Sequence, residues 1–139
     1  MGAIMTDPFT YIPPNEVTAP KHAAIRAAEA EARAAIRQQI GGSWQGEVWT
    51  EHADHYDAQA AYTAINDACR SFYAVILEHA PPSADRAAAE RCVRLARMAA
   101  NEAVTTTPTT ELVELRRQCV DNLRAARWQA CAAIALSDT

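Results

Sequence analysis

The stretch A-P-P-S-A-D-R-A-A-A-E-R-C-V-R-L-A-R-M-A-A-N-E-A-V, from Ala80 to Val104, decides how the rest of the chain is read. Pro81 and Pro82 stop any helix arriving from upstream, because proline has no N–H to donate and its ring crowds the preceding turn. Ser83 then stands in the N-cap position, and Asp85 places negative charge in the first turn, where the helix dipole favours it. From Ser83 to Val104 there is neither glycine nor proline. One uninterrupted helix, helix 3, is therefore predicted. Ala88, Cys92, Leu95, Ala99 and Ala103 form its predicted buried face, and Glu90, Arg94, Arg97 and Asn101 form a polar one.

Working outward from this helix, the chain reads as three more. Helix 2 is predicted from about Thr50 to His79, with Tyr62, Ile65, Cys69, Phe72 and Ile76 as its apolar stripe. Helix 4 follows the T-T-T-P-T-T linker and runs from about Thr109 to Leu136. Leu112, Leu115, Cys119, Leu123, Ala126, Ala130 and Ala133 supply its buried side. Helix 1 spans about Pro20 to Ile40, with proline in a first-turn position and Gly41-Gly42 as the stop. Its stripe is Ile25, Ala28, Ala32, Ile36 and Ile40. Residues 1–19 hold three of the seven prolines and are read as an extended arm. Residues 41–50 form a connector carrying Trp44 and Trp49, which folds back onto a helix face or meets a partner. Short connections make neighbouring helices antiparallel. The expected fold is all-α: a single domain over residues 1–139, with four helices arranged as two antiparallel hairpins. The central hairpin covers 51–104, and the C-terminal helix lies within 105–139.

Composition agrees with this class. Half of the 139 residues are apolar, but 32 are alanine and only nine are Phe, Tyr or Trp, which favours close helix packing over a deep aromatic core. The formal charge of −4 argues against a DNA- or RNA-polymer binder, which carries a basic surplus. Cys69, Cys92, Cys119 and Cys131 contain no C-x-x-C pair and are expected as free thiols. The N-terminus has no signal-peptide pattern, its match to a myristoylation site at Gly2 and Thr6 is read as chance, and no apolar run is long enough for a bilayer. Thin alanine stripes on helices 1 and 3 bury little area within one chain, so a homo-oligomer is expected.

The central hairpin resembles a known family. Phage anti-CBASS and anti-Thoeris sponge proteins share a helical hairpin whose second helix reads P-x-S-x-[E/D]-[K/R], then alanine, then A-x-M-x-A-N-x-x-[I/V]. Pro81, Ser83, Asp85, Arg86, Ala89, Ala96, Met98, Ala100, Asn101 and Val104 fill that pattern without a gap. The family's preceding helix, Y-x-A-I…A…I-L-E, is similar to Tyr62, Ala64, Ile65, Ala68, Ile76, Leu77 and Glu78. Many members begin with an F-x-Y-x-P-P arm and an A-I-R-x-x-A helix. Phe9, Tyr11, Pro13, Pro14, Ala24, Ile25 and Arg26 match these, while Glu29 replaces the last alanine. The end of helix 4, W-Q-A-C-A-A-I-A, resembles the family's W-A-N-A-A-I-A, with Cys131 in the place of asparagine and Trp128 one position early. The pattern implies a duplicated or nested hairpin, with helices 1 and 4 flanking 2 and 3.

The resemblance implies capture, without cleavage, of a cyclic nucleotide immune signal in the cytoplasm of an infected bacterium. Pockets of this kind lie between subunits, need no cofactor, and take phosphates on guanidinium groups. The residues implied are Arg26, Arg94 and Arg97 for phosphates, Phe9 and Tyr11 for stacking on bases, and Asn101 for a base edge or ribose. Each also has a plain reading: arginines as a solvated face or as i,i+4 partners, the two aromatics as anchors of the arm, and Asn101 as an exposed polar residue. The E-H-A-D-H-Y-D run at 51–57 puts His52 and His55 three residues apart, beside Glu51 and Asp54. Zinc sites draw ligands from separate elements, so this run reads as an ordinary polar first turn and no metal is expected. No G-x-S-x-G, P-loop or H-E-x-x-H motif is present, so no enzyme is expected. The competing expectation is a non-catalytic helical oligomer that binds a protein partner.

Overall fold

The computed structural model describes residues 13–40, 58–105 and 110–137. Four helices occupy them: α1 (Ala19–Gln39), α2 (Ala58–His79), α3 (Ala84–Thr105) and α4 (Thr110–Ser137). No strand occurs among the described residues. The all-α, four-helix expectation is met. Residues 1–12 of the arm, residues 50–57 of the predicted helix 2 and the tryptophan connector lie outside the described residues.

Helices α3 and α1 start for local reasons. Ser83 caps α3, its Oγ accepting from the Arg86 N–H at 3.1 Å. Arg86 also reaches back to donate to the Ala80 carbonyl at 3.2 Å, satisfying an acceptor left over at the end of α2. The proline corner is thus closed from both sides. Pro20 sits in the first turn of α1, as predicted. The turn before it was not foreseen: Asn15 Oδ1 accepts from the N–H groups of Val17 and Thr18, and the Asn15 N–H donates to Thr18 Oγ1, all at 2.9 Å. This Asx-type turn fixes how the chain enters α1.

The helices pack in a ring in which α1 meets α2, α2 meets α3, α3 meets α4 and α4 returns to α1. Pairs across the α2/α3 hairpin run in opposite directions. Tyr73 bonds Glu90 near the corner, and Asn66 bonds Asn101 farther away. At one end of the bundle, Lys21 of α1, the end of α2, Arg86 of α3 and Ser137 of α4 border one cavity, so successive helices alternate in direction.

The core is uneven. Ile25, Ile36 and Ile40 from the α1 side and Ile65, Phe72 and Ile76 from α2 are fully or almost fully buried. The facing α3 surface is mostly alanine: Ala89, Ala96, Ala100 and Ala103, with Val93 and Val104. The stripes predicted for helices 1, 2 and 4 lie in the core or against it. The predicted face of helix 3 needs correction. Leu95 is 44% exposed, and the buried face is rotated by about one residue, to Ala89, Val93, Ala96 and Ala100. Only Ala103 is buried as expected, while Cys92 and Ala99 pack at the core's edge. Alanine recurs around the whole helix, so burying a leucine on one side gains less than fitting a smooth alanine surface against α4.

Two predictions follow from this packing. Phe72→Ala removes the largest fully buried side chain among the described residues and should cost about 3–5 kcal/mol in urea unfolding. His22 is 4% exposed and its Nε2 meets no partner among the described residues. Burial, and secondly the Arg26 charge, hold its pKa below 6.5. The folded state therefore resists protonation that the unfolded state accepts. Stability from neutral His22 is present above pH 6.5 and is lost as pH falls from there toward the lower folded-state pKa. The thermal midpoint should drop between pH 7.5 and 5.5, and His22→Leu should flatten that drop relative to wild type.

Candidate functional site

The groove between α2 and α3 collects polar side chains from both helices. Asn66, Cys69, Arg70, Tyr73, Val93, Arg94 and Arg97 line a cavity of about 260 Å³. The i,i+3 and i,i+4 spacings 66–69–70–73 and 93–94–97 put each set on one face of its helix, and the antiparallel hairpin turns the two faces together. Arg94 and Arg97 enter no ion pair among the described residues, whereas the exposed Arg70 lies 3.7 Å from Asp67. Two unengaged guanidiniums beside an apolar floor make the groove receptive to an anion.

Its walls are held in place by neighbours. The Tyr73 hydroxyl donates to Glu90 Oε1 at 2.6 Å, and Arg86 Nε lies 3.9 Å from the other carboxylate oxygen. That bond to Glu90, and then burial, raise the Tyr73 pKa, so the phenol stays neutral and its ring is fixed as a wall. Asn101 Nδ2 donates to Asn66 Oδ1 at 3.2 Å, while Asn101 Oδ1 is buried with no partner among the described residues. Asn101 therefore acts on the groove through Asn66, whose own amide nitrogen remains able to donate. Cys69 sits at the floor. Burial pushes its thiol up to about 11, against a smaller opposing effect of Arg97.

Of the residues singled out in the sequence, Arg94 and Arg97 share this groove, and Asn101 lies one hydrogen bond behind it. Arg26 does not join them. It lines a cleft of about 230 Å³ between α1 and α4, with Glu29, Arg33, Arg124 and Arg127. In the ring of helices that cleft is on the opposite side of the bundle from the groove. Phe9 and Tyr11 lie outside the described residues, as do Glu51, His52, Asp54 and His55. Asn66, Arg70 and Tyr73 were missed by the sequence reading. Their spacing was visible on helix 2, but only the pairing with α3 gives them a common purpose. No group of three or more metal-ligating side chains occurs among the described residues. None of the described helices is long and apolar enough to cross a membrane.

Comparison with protein-family models, with curated proteins and with solved structures returns no match.

All four cysteines are free; Cys69, Cys119 and Cys131 are buried and Cys92 is half-buried. Burial raises every one of these thiols, that of Cys119 to about 12. At pH 8, iodoacetamide should label Cys92 first and leave Cys69 and Cys119 untouched until denaturant is added, as read by peptide mass mapping. Labelling of Cys69 in the folded protein at the rate of an exposed thiol would show that the groove floor is open.

Proposed function

We propose that this chain is a binding module that captures a cyclic nucleotide second messenger and holds it intact, as a phage-type sponge against host immune signalling. The observation that carries the reading is the α2/α3 groove, where Arg94 and Arg97, without a carboxylate partner among the described residues, stand beside the fixed ring of Tyr73 and the amide of Asn66. Guanidinium forks suit phosphate oxygens, the aromatic wall suits a flat base, and the Asn66 amide suits a base edge. Of the residues that the hairpin motif implied, Arg94 and Arg97 stand in the groove and Asn101 lies one hydrogen bond behind it.

The mode of action is capture. The nucleophile in the groove, the Cys69 thiol, is held near 11 and is protonated at neutral pH. The groove, at about 260 Å³, is small beside the roughly 300–1,000 Å³ of sites that enclose a small ligand. A cyclic dinucleotide or larger ring seated on it needs a further wall. A second copy of the chain, or the arm bearing Phe9 and Tyr11, would supply that wall in a homo-oligomer with intersubunit pockets.

A second reading has one observation in its favour. Leu95 and Met98 are 44% and 60% exposed, next to the arginines on α3, and this mixed apolar and basic surface would suit a protein partner. A thermal-shift panel of cyclic dinucleotides, cyclic trinucleotides and cyclic ADP-ribose isomers separates the readings. A captured ligand must raise the midpoint, since it binds only the folded state. Arg94→Gln with Arg97→Gln should weaken its binding tenfold or more, because charge-assisted hydrogen bonds contribute about 1.5–3 kcal/mol each. Heat-denatured complex should release unaltered ligand by chromatography. A flat panel supports the protein-binding reading, and recovery of a hydrolysed product overturns capture.

A further inference from the structure

We propose that the cleft between α1 and α4 is a separate anion site, built for a small oxyanion carrying two or more negative charges, of the diphosphate or phosphomonoester class. The cleft is lined by Arg26, Glu29 and Arg33 from α1 and by Arg124 and Arg127 from α4. Four guanidiniums share it with one carboxylate. Glu29 is 2% exposed, and its Oε1 lies 3.1 Å from Arg33 Nε. The Arg33 N–H is not aimed along that line, so the contact is a charge pair rather than a hydrogen bond. It offsets one positive charge of the four.

The other three are not offset. Arg26, Arg124 and Arg127 enter no ion pair among the described residues. Acidic groups are at hand elsewhere on the same helix, where Arg117 takes both Glu114 and Asp121. Cations within the Debye length of about 8 Å of one another repel. An arriving anion reverses the sign of that interaction.

Two features show how the cleft would hold such an anion. The Arg127 guanidinium lies 5.0 Å from the centre of the Trp128 ring, a cation–π contact that restrains it without a carboxylate. All four cations are arginine in a chain whose single lysine is Lys21, and arginine grips oxyanions through paired, coplanar N–H groups where lysine offers a point charge. At about 230 Å³ the recess is too small to enclose a drug-sized molecule but accepts the phosphates of one. The net charge of −4 disfavours wrapping by a nucleic-acid polymer, which leaves a compact anion as the occupant. The site is on the far side of the bundle from Arg94 and Arg97, so it does not rest on the cyclic-nucleotide reading.

Inorganic pyrophosphate is the probe. Calorimetric titration and thermal melting of the full chain should show binding and a raised midpoint, which sodium chloride at matched ionic strength does not reproduce. With the α2/α3 groove silenced by Arg94→Gln and Arg97→Gln, pyrophosphate should still bind, and adding Arg124→Gln with Arg127→Gln should weaken that binding at least tenfold. Arg124→Lys with Arg127→Lys, which keeps the charge and loses the fork, should fall between them; far-ultraviolet circular dichroism checks that each variant remains helical. Adenosine diphosphate, as a second titrant, should bind to the same arginines with affinity within a few-fold of pyrophosphate, because the cleft reads the phosphates. Chloride matching pyrophosphate overturns the proposal. So does pyrophosphate binding that, with the groove silenced, survives the loss of Arg124 and Arg127, or that vanishes on the loss of Arg94 and Arg97 alone.

Discussion

The close fit of α3's alanine face is the constraint on which the rest of the bundle depends. Ala89, Ala96, Ala100 and Ala103 present almost no side-chain volume, and α4, which also buries Ala126, Ala130 and Ala133, packs closely against α3. The larger residues are concentrated elsewhere, in Ile25, Ile36, Ile65, Phe72 and Ile76. One side of the ring is held by many small contacts and the other by a few large ones. Both kinds of packing penalise a change in volume, because protein interiors have little free space to absorb it.

The same alanine-rich helices explain how arginine came to carry the polar chemistry. An alanine neighbour neither shields a long side chain nor competes for its hydrogen bonds. The guanidiniums of Arg94 and Arg97 are therefore exposed at the mouth of the α2/α3 groove, and those of Arg26 and Arg124 at the α1/α4 cleft. An overall charge of −4 coexists with two positive recesses because the acids are used locally. Glu90 holds Tyr73, Glu29 meets Arg33, and Glu114 with Asp121 hold Arg117. Local charge, more than the total, decides what each surface attracts.

Much of this was legible in the order of residues. The proline corner with Ser83, the start of α1 at Pro20 and the stripes of α1, α2 and α4 follow from backbone chemistry and from leucine and isoleucine at helical spacing. The face of α3 was not legible, because alanine at most of its positions offers no preference between one side and the next; Leu95 pointed to the wrong side. The site was readable in part. Arg94 and Arg97 lie three apart on one helix, and their shared groove is a local consequence. Asn66, Arg70 and Tyr73 carry the same local spacing but gain meaning only once α2 faces α3.

Sequence alone determined that the described segments are helical and where the proline corner and the Ser83 cap fall, since each of these depends on neighbours within about one or two turns. The tertiary structure decided which alanines are inside, that Asn101 bonds Asn66, and that Arg26 stands apart from Arg94 and Arg97. Those facts depend on the rotation of each helix about its own axis and on which helix it meets across the ring. Rotation is set by the sum of many small packing terms over all four helices, and no single residue in the chain states it.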